Sequence, residues 1–355
     1  MHDDITDHLR RKILSGGFDK MTFLPPERKL AEEYQVGRGI IRAILRTLCE
    51  EGILYNVPRQ GFRMKKAAPR RLKRIILRLP IPISADAYEV FGILSGICCC
   101  ANELFTEVLI SMPPAKLDLK ELRERFNADD IQGIIFLEQN SDILSDPLEK
   151  SGIPFVIANL EDDLEVPCVR MDYREAGRQA GRRLLQAGYS RPLIYSGPSG
   201  VFIYREILAG FRGAFSEENR KLEEDMILSS DKRVLPKKIT RLLSLPKPQR
   251  PDSVFCIRDY RAALVYQQCR KLSLRIPEDI GIISYDNITW PDAERCGLTS
   301  VAEDVGQIGR QSVLLLEKMF KSECGAATCV IPAQLVERAS LRKPDRSRTI
   351  IRPAL

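Results

Sequence analysis

The sequence predicts an α/β protein with a small N-terminal domain of helices and a hairpin, followed by a larger two-lobed domain of parallel sheets. Three observations lead to this prediction. The chain has 355 residues, which is too long for one ordinary core. Its excess positive charge lies at one end. The rest of the chain alternates short apolar runs with helical stretches, which is typical of parallel sheets covered on both faces.

The charge is concentrated in residues 1–74, which hold 17 Lys and Arg against 9 Asp and Glu, although the net charge of the whole chain is only +7. A compact basic segment on a nearly neutral body is expected of a nucleic-acid-binding module. A solvated basic arm is the alternative interpretation, and the spacing of apolar residues decides between the two.

Three helices and a hairpin are predicted in this segment. Ile5, Leu9 and Ile13 share one face of a first helix, and Gly16 and Gly17 end it. A second helix begins in the segment Pro25-Pro26-Glu27, because proline and an acidic residue both suit a first helical turn. Two short apolar runs at 52–55 and 58–64 predict a two-stranded hairpin, or wing.

The third helix has two different faces. The apolar residues at helical spacing are Ile41, Ile44, Leu45 and Leu48. Arg38, Arg42 and Arg46 recur every fourth residue on another side. A solvated helix face usually mixes charges of both signs, so three arginines in register indicate an external polyanion, with a purely solvated face as the alternative.

These residues carry a specific resemblance over about the first 65 positions. The carrying segments are Leu24-Pro25-Pro26-Glu27-Arg28-Lys29-Leu30-Ala31, Val36-x-Arg38, Ile41-Arg42, Leu45-x-x-Leu48 and Glu51-Gly52. They resemble the GntR (gluconate-repressor type) family of winged helix-turn-helix proteins. The resemblance implies a DNA-binding domain at residues 1–66.

The resemblance also implies which residues bind DNA. The implied positions are Arg28, Arg38, Gly39, Arg42, Gln60 and Gly61. Arg28 would contact phosphate, and Arg38 and Arg42 would reach guanine edges and phosphates in the major groove. Gln60 and Gly61, at the tip of the wing, would approach the minor groove. Gly37 and Gly39 replace hydroxyl-bearing residues of the family pattern, so the preferred DNA sequence is expected to differ from that of typical relatives.

The body of the chain is predicted to begin after a basic linker at residues 67–74. Apolar runs predict buried strands at 75–79, 108–111, 133–137, 154–158, 193–195, 253–257 and 281–284. Helices are predicted at about 89–104, 118–126, 174–187, 204–219, 236–245, 260–272 and 306–320. Parallel sheets of this kind bind ligands at the carboxyl ends of their strands.

A second resemblance covers about residues 74–340. Its segments include Leu185-x-Ala187-Gly188-Tyr189, Tyr204-Arg205-x-x-x-x-Gly210-Phe211, Pro251-Asp252, Ile276-Pro277-Glu278-Asp279-Ile280-Gly281 and Tyr285-Asp286-Asn287. They resemble the LacI (lactose-repressor type) sensor domain, which is related to periplasmic sugar-binding proteins of type I. The resemblance implies an effector-binding domain at 75–340 with lobe 1 at about 75–170 and 302–328, lobe 2 at about 172–300 and 329–340, and a basic tail at 341–355. It places the three crossings between lobes near Met171, Val301 and Cys329.

The same resemblance implies an effector site in the cleft between the lobes. The implied residues are Arg205, Arg258, Asp286, Tyr88 and Trp290, with the loop from Ile83 to Tyr88 as a further wall. A guanidinium and a carboxylate together suit a polyhydroxyl ligand, and a buried ion pair that braces the cleft is the alternative. Trp290 could stack on a sugar ring or pack in the core.

Arg258 departs from the family pattern, because a cation stands where asparagine is usual. One interpretation is a phosphorylated or acidic sugar as the effector. The other is that Arg258 pairs with Asp259 or Asp286 and closes the pocket.

Several classes of function are excluded by what the sequence lacks. His2 and His8 are the only histidines, so histidine-dependent serine or cysteine catalysis is not expected. No phosphate-binding glycine loop is present, and the ten cysteines have neither metal-ligand nor disulfide-framework spacing, so we read them as buried, reduced thiols. We expect no cofactor, no metal and no enzymatic activity. The chain has no apolar run long enough to cross a bilayer and no signal-peptide pattern, which favours a cytoplasmic protein.

The sequence predicts a homodimeric transcription regulator that acts as a repressor. It would bind a pseudo-palindromic double-stranded operator and respond to a small-molecule effector, a sugar or sugar derivative, with no membrane partner. A solute-binding protein without DNA function is the main rival. An enzyme is the second rival.

Overall fold

The chain divides into two units, Met1–Arg71 and Leu72–Leu355. The computed structural model describes residues 2–14, 18, 23–58, 60–64, 72–79, 88–111, 124, 131–137, 152–160, 162, 165–230, 235–288, 297–325 and 327–344. Within these ranges no helix combines the length and the apolar character that a bilayer crossing requires. The predicted helix at 118–126 lies outside the described residues except for position 124.

The first unit holds three helices and a hairpin, as predicted. The helices are α1 (His2–Leu14), α2 (Glu27–Glu33) and α3 (Arg38–Glu50), and the antiparallel strands are β1 (Leu54–Val57) and β2 (Gly61–Met64). The four residues of the predicted apolar face of α3 are buried and join Leu9, Leu30 and Leu54 in one core. The Leu24 amide donates to the Phe62 carbonyl at 2.8 Å, which fastens the hairpin to the segment before α2.

The second unit begins earlier than expected. Leu72 is buried, and its carbonyl accepts a hydrogen bond of 2.8 Å from the Thr106 hydroxyl. Strand β3 (Arg74–Arg78) follows directly. The linker that the sequence analysis extends to residue 74 is therefore shorter, because the apolar Leu72 side chain joins the core of the following lobe.

The first lobe is a six-stranded sheet in which every pair of neighbours is parallel. Its strands after β3 are β4 (Glu107–Ser111), β5 (Ile134–Phe136), β6 (Phe155–Ala158), β7 (Cys168–Met171) and a late strand, β13 (Thr328–Ile331), and the order is β13-β7-β6-β5-β3-β4. Helices α4 (Tyr88–Glu103) and α9 (Val305–Phe320) pack against each other in this lobe. Strand β4 is one edge of the sheet and β13 is the other.

The second lobe is also a six-stranded sheet. Its strands are β8 (Pro192–Ser196), β9 (Ile227–Ser229), β10 (Ser253–Ile257), β11 (Gly281–Asp286), β12 (Thr299–Ala302) and β14 (Gln334–Val336), in the order β14-β12-β11-β10-β8-β9. Only β14 is antiparallel to its neighbour. The helices are α5 (Tyr173–Gln186), α6 (Phe202–Glu217), α7 (Lys237–Leu243) and α8 (Asp259–Lys271), and residues Glu224–Met226 form a 3-10 turn.

The chain passes between the sheets three times. It leaves the first sheet after Met171, returns between Ala302 and Val305, and leaves again after Ile331. The third crossing was predicted near Cys329. It lies after Ile331, because β13 pairs with β7 up to that residue. The tail also starts later than residue 341, since Leu341 is buried in the core.

Each of the seven strands predicted in the second unit has a counterpart in the structure, whereas β7, β9, β12, β13 and β14 were not predicted. Each of these five strands is short and contains at least one polar residue, whereas the equally short strands β5 and β6 are entirely apolar and were predicted. The expectation that the cysteines are buried is wrong for Cys98 and Cys99, which are exposed while Cys100 is buried. Consecutive residues of a helix point about 100° apart, so the three cannot all face the core.

Candidate functional site

The helix α3 presents its arginines on the side away from its buried residues. Ile41, Ile44 and Leu48 are fully buried, whereas Arg38, Arg42 and Arg46 are exposed. With about 3.6 residues per turn, a spacing of four residues brings these arginines close to one another along the helix. The basic face predicted from the sequence is therefore present.

One of these arginines is held by an acidic residue of the preceding helix. A guanidinium nitrogen (Nη2) of Arg42 lies 2.8 Å from the Glu27 carboxylate, and Nε lies 3.2 Å from both carboxylate oxygens. The bond from Arg42 lowers the pKa of Glu27, and the charges of Arg38 and Arg46 lower it further. The pair links α2 to α3 and orients the Arg42 side chain, which is still 57% exposed.

The remaining predicted DNA-binding residues are also on the surface. Arg28 pairs with Glu32 along α2 at 3.1 Å, in an exposed i, i+4 ion pair. Gln60 and Gly61 are exposed at the turn of the β1-β2 hairpin. Gly61 has a φ of 107°, a backbone conformation that favours glycine, which explains the residue at this position of the wing.

The two glycines that depart from the family pattern leave open space at the start of α3. A Cβ atom built on Gly37 or Gly39 would meet no atom of the described chain within 4 Å. Gly37 is the N-cap residue and supplies no side-chain hydrogen bond to the helix. The backbone at this end of α3 is therefore open to a large ligand.

A second cluster of polar residues lies where the two lobes of the second unit meet. Arg258 directly follows β10, Asp286 ends β11 and Glu303 directly follows β12. These three strands are parallel neighbours, so the three residues emerge at the same edge of the sheet. Glu89, in the first turn of α4, comes from the other lobe.

Arg258 links the two lobes through its side chain. A terminal nitrogen, Nη1, donates to Asp286 Oδ1 at 2.9 Å and also to a carboxylate oxygen of Glu89. The side chains of Arg258 and Glu89 are only 13% and 15% exposed. We call this arrangement of Glu89, Arg258 and Asp286 the interlobe clasp.

The backbone at the clasp is strained. Arg258 has a φ of 106° and Asp286 a φ of 127°, and Asn287 is also in the left-handed region. Non-glycine residues adopt such conformations only where the surrounding structure imposes them, and these sites cluster at ligand-binding positions. Two strained residues therefore face each other across the strand ends.

Three carboxylates surround a single guanidinium in this region. Oxygen atoms of Glu89, Asp286 and Glu303 lie within 4.8 Å of one another, a spacing that a divalent cation could also use. Burial raises the pKa of Asp286 and of Glu303, and repulsion between the carboxylates adds to the effect although Arg258 opposes it. Arg258 already supplies a positive charge to the three carboxylates. The raised pKa values of Asp286 and Glu303 favour their protonated, neutral forms, which reduces the negative charge of the cluster.

Asp259, the other carboxylate next to Arg258, has its own partners. It accepts hydrogen bonds from the Ser284 and Ser300 hydroxyls and from the Ile288 amide, at 2.7 Å for the amide. Of the two pairings considered for Arg258, the structure forms the one with Asp286.

The other predicted effector residues are placed differently. Arg205 pairs with Glu206 at 3.4 Å and stacks over the Phe202 ring at 5.1 Å, and Arg170 stacks over the same ring at 5.4 Å. The Tyr88 side chain, the loop from residue 83 and Trp290 lie outside the described residues.

Two residues of the cleft region were missed by sequence reasoning. Glu89 stands in the first turn of a predicted helix, where an acidic residue is explained by the helix dipole, and Glu303 follows a strand that has no clear pattern. Neither has a motif. Their proximity to Arg258 depends on how the two lobes close.

Two family models match the chain. Residues 2–64 match the model described as bacterial regulatory proteins, gntR family, and residues 182–341 match the one described as a periplasmic binding protein-like domain. The chain therefore joins a gntR-type winged helix-turn-helix to a periplasmic-binding-protein-like domain. This combination defines a DNA-binding transcription regulator, as predicted.

Individual proteins are similar to this chain over most of its length. The chain is 26% identical over 331 residues to the arabinose metabolism transcriptional repressor of Geobacillus stearothermophilus. The aligned region covers 87% of this chain and 88% of that protein. It is similar in fold to the transcriptional regulator CelR in complex with cellobiose, with a TM-score of 0.60, 22% identity and coverage of 89% and 100% of the two chains. The lac repressor dimer bound to operator and the anti-inducer ONPF matches with a TM-score of 0.61, 16% identity and coverage of 78% and 96%.

Proposed function

We propose that the protein is a homodimeric repressor that binds a pseudo-palindromic operator and responds to a sugar bound between the lobes of its second unit. The observation that carries this proposal is the exposed arginine face of α3, in a domain that matches a family of DNA-binding regulators. Phosphate contacts by such a face supply affinity, and contacts to base edges supply specificity.

Within the first unit, each predicted residue has a distinct role in the proposal. Arg38 and Arg42 enter the major groove and bind guanine edges or phosphates, since the start of a recognition helix is the part that reaches the bases. Arg28 binds phosphate from α2. Gln60 and Gly61 bring the wing tip to the adjacent minor groove.

The proposed dimer forms through the first lobe. Phe91 on α4 is 57% exposed and Ile110 on the edge strand β4 is 54% exposed, which leaves apolar side chains on two adjoining elements. Burying them against a second copy would remove apolar surface from water and cover a sheet edge. A two-fold dimer presents two recognition helices, which matches a palindromic site.

A neutral polyhydroxyl effector is favoured over an anionic one. The charge of Arg258 is already bound by Glu89 and Asp286, and Glu303 lies beside them, so a phosphorylated or acidic sugar would meet carboxylates. The same groups offer both donors and acceptors to hydroxyls. The arabinose repressor and the CelR–cellobiose complex among the relatives agree with a sugar.

The interlobe clasp suggests how the effector acts. A sugar that binds Asp286 or Arg258 either replaces the bonds of the clasp or inserts between its residues. In both cases sugar binding changes the strength of the contact between the two lobes. A change in lobe closure in each protomer then changes the spacing of the two DNA-binding units.

The test combines a DNA-binding assay with a ligand screen. Operator-like duplexes are selected from a random library with the full-length protein, and the Kd is measured by fluorescence anisotropy at increasing salt. We expect a steep linear fall of log affinity with log salt, because phosphate contacts release counterions. Failure to bind any duplex would support a solute-binding protein instead, and affinity that does not depend on salt would contradict the proposed phosphate contacts.

The effector is sought by thermal shift with neutral sugars, sugar phosphates and sugar acids. A ligand that binds only the folded state raises the melting temperature. We expect a shift with a neutral sugar, together with a change in operator affinity when that sugar is added. A shift with sugar phosphates alone would contradict the proposed ligand class, and turnover of a bound sugar would indicate an enzyme.

A further inference from the structure

The exposed side of α3 is divided into two flanks that differ in chemistry. A helix turns by about 100° per residue, so Arg38, Arg42 and Arg46 lie along one flank of the surface opposite the buried face. Ile40 and Thr47 lie along the other flank by the same geometry. Between the two flanks are the small residues Gly39 and Ala43, which are both exposed.

Ile40 is the unusual member of this surface. It is 40% exposed, whereas the neighbouring Ile41 and the next isoleucine, Ile44, are completely buried in the core of the first unit. Ile40 lies in the first turn of α3, beside the open space at Gly37 and Gly39. In the proposed complex the N-terminal end of α3 enters the major groove, so an isoleucine in the first turn of this helix can contact a base.

The major groove offers one apolar group to such a side chain. Thymine carries a C5 methyl group there, and none of the other three bases has a methyl group in the groove. The small residues Gly39 and Ala43 let the helix backbone come close to the groove floor. An arginine flank and an aliphatic flank on one helix would therefore read guanine and thymine side by side.

We propose that Ile40 packs against the methyl group of a thymine and gives the operator a thymine preference next to the positions read by the arginines. The inference rests on the proposed DNA-binding function. Its physical basis is the removal of an exposed aliphatic side chain and a methyl group from water at the same contact.

The test removes each partner of the contact separately. Operator duplexes selected with the wild-type protein are resynthesised with deoxyuridine in place of one thymine at a time, which deletes only the methyl group. We expect one position in each half-site at which wild-type affinity falls about fourfold, the effect of losing one buried methyl-sized group. The variant Ile40→Ala should bind the unmodified duplex at least as weakly as the wild-type protein binds the deoxyuridine duplex. Its affinity should not change further when deoxyuridine replaces thymine at that position.

The control variant is Val201→Ala, which shortens an aliphatic residue of similar exposure (38%) in the second unit. It should keep the wild-type affinity and the wild-type response to deoxyuridine. Wild-type binding that is indifferent to deoxyuridine at every thymine would overturn the role of Ile40 and leave the proposed function standing. Failure of the wild-type protein to bind any duplex would overturn both.

If Ile40→Ala were to unfold the first unit, the wild-type response to deoxyuridine would still decide the question. A second variant, Ile40→Val, retains part of the side chain and should give an intermediate loss at the same position. A loss spread evenly over all thymines would contradict a single methyl contact.

Discussion

At the scale of single residues, the Glu27–Arg42 pair shows how an exposed side chain is oriented before it meets a ligand. The carboxylate of α2 binds the guanidinium at two atoms, so part of the rotamer freedom of Arg42 is lost in the free protein. Binding then costs less conformational entropy than it would for a free arginine.

Arg42→Ala should weaken binding to the selected operator by about 1 to 3 kcal/mol and relax the base preference at one position, because a base contact is lost. Fluorescence anisotropy with the selected duplex and its single-base variants measures both effects. Arg275→Ala removes the arginine of an exposed ion pair with Asp279 in the second unit and should leave affinity unchanged. Equal losses on all duplexes would assign Arg42 to phosphate instead.

The clasp is expected to stabilise the second unit. Arg258→Met removes the guanidinium from a group of three carboxylates and should lower the free energy of unfolding by about 3 kcal/mol, since a buried pair loses one partner. The double variant Arg258→Met with Asp286→Asn should recover part of the loss. Urea unfolding followed by the fluorescence of the single tryptophan, which belongs to the second unit, measures this. A loss below about 1 kcal/mol would show that the clasp is only a weak surface pair.

The raised pKa values of Asp286 and Glu303 predict a pH dependence of stability. Protons that the folded unit retains are released on unfolding once the pH exceeds the ordinary carboxyl range, so this stability is present at acidic pH and is lost as the pH rises. Burial raises the pKa of Asp286 to about 8, so its proton should make the free energy of unfolding fall by up to about 1.4 kcal/mol per pH unit from about pH 5 to about pH 8. The raised pKa of Glu303 adds a change in the same direction.

The same urea experiment at several pH values checks this expectation. Asp286→Asn should flatten the pH dependence. Asp279→Asn is the matched control, because the bonds from Arg275 lower the pKa of Asp279 and its contribution changes only at more acidic pH. Stability that rises over this range would show that Arg258 outweighs the effect of burial.

At the scale of elements, helices α5 and α6 pack at unusually short distance through two glycines. A Cβ atom on Gly177 would lie 1.8 Å from the Ile207 carbonyl oxygen, and one on Gly210 would lie 1.8 Å from the Arg174 carbonyl oxygen. Side chains larger than hydrogen at these positions would force the helices apart. The spacing of the helices, rather than a turn, explains both glycines.

Gly177→Ala should therefore destabilise the second unit by about 2 to 3 kcal/mol, because the helices have to separate to admit the methyl group. Gly213→Ala on α6 is the control, since its Cβ would meet nothing closer than 4.0 Å. Alanine there should be neutral or stabilise by up to about 1 kcal/mol, as expected from helix propensity. Urea unfolding compares the two, and equal effects would contradict the close approach.

At the scale of the whole molecule, the proposed dimer depends on one edge of the first lobe. Phe91→Glu and Ile110→Lys place charges on the exposed apolar residues of α4 and β4 and should give monomers in analytical ultracentrifugation, with weaker operator binding. Val330→Lys changes a residue that is 48% exposed on β13, the opposite edge of the same sheet, and should leave the dimer intact. The reverse result would move the interface to the β13 edge.

The local structure of the chain follows from the order of its residues. The two faces of α3, the hairpin and the seven predicted strands of the second unit follow from spacing between residues that are close along the chain. The resemblance of the two segments then indicated the domain types, and both family models agree.

The pairing of the residues in the cleft depends on tertiary contacts. In the sequence, Arg258 is a cation where the family pattern has asparagine. Two interpretations were open: an anionic effector, or an ion pair of Arg258 with Asp259 or Asp286. Its pairing with Asp286, and with Glu89 at a distance of 169 residues along the chain, was settled by the packing of two lobes that the chain crosses three times. Contacts between such distant segments have no periodic signal, because they depend on the closure of the whole fold rather than on local conformation.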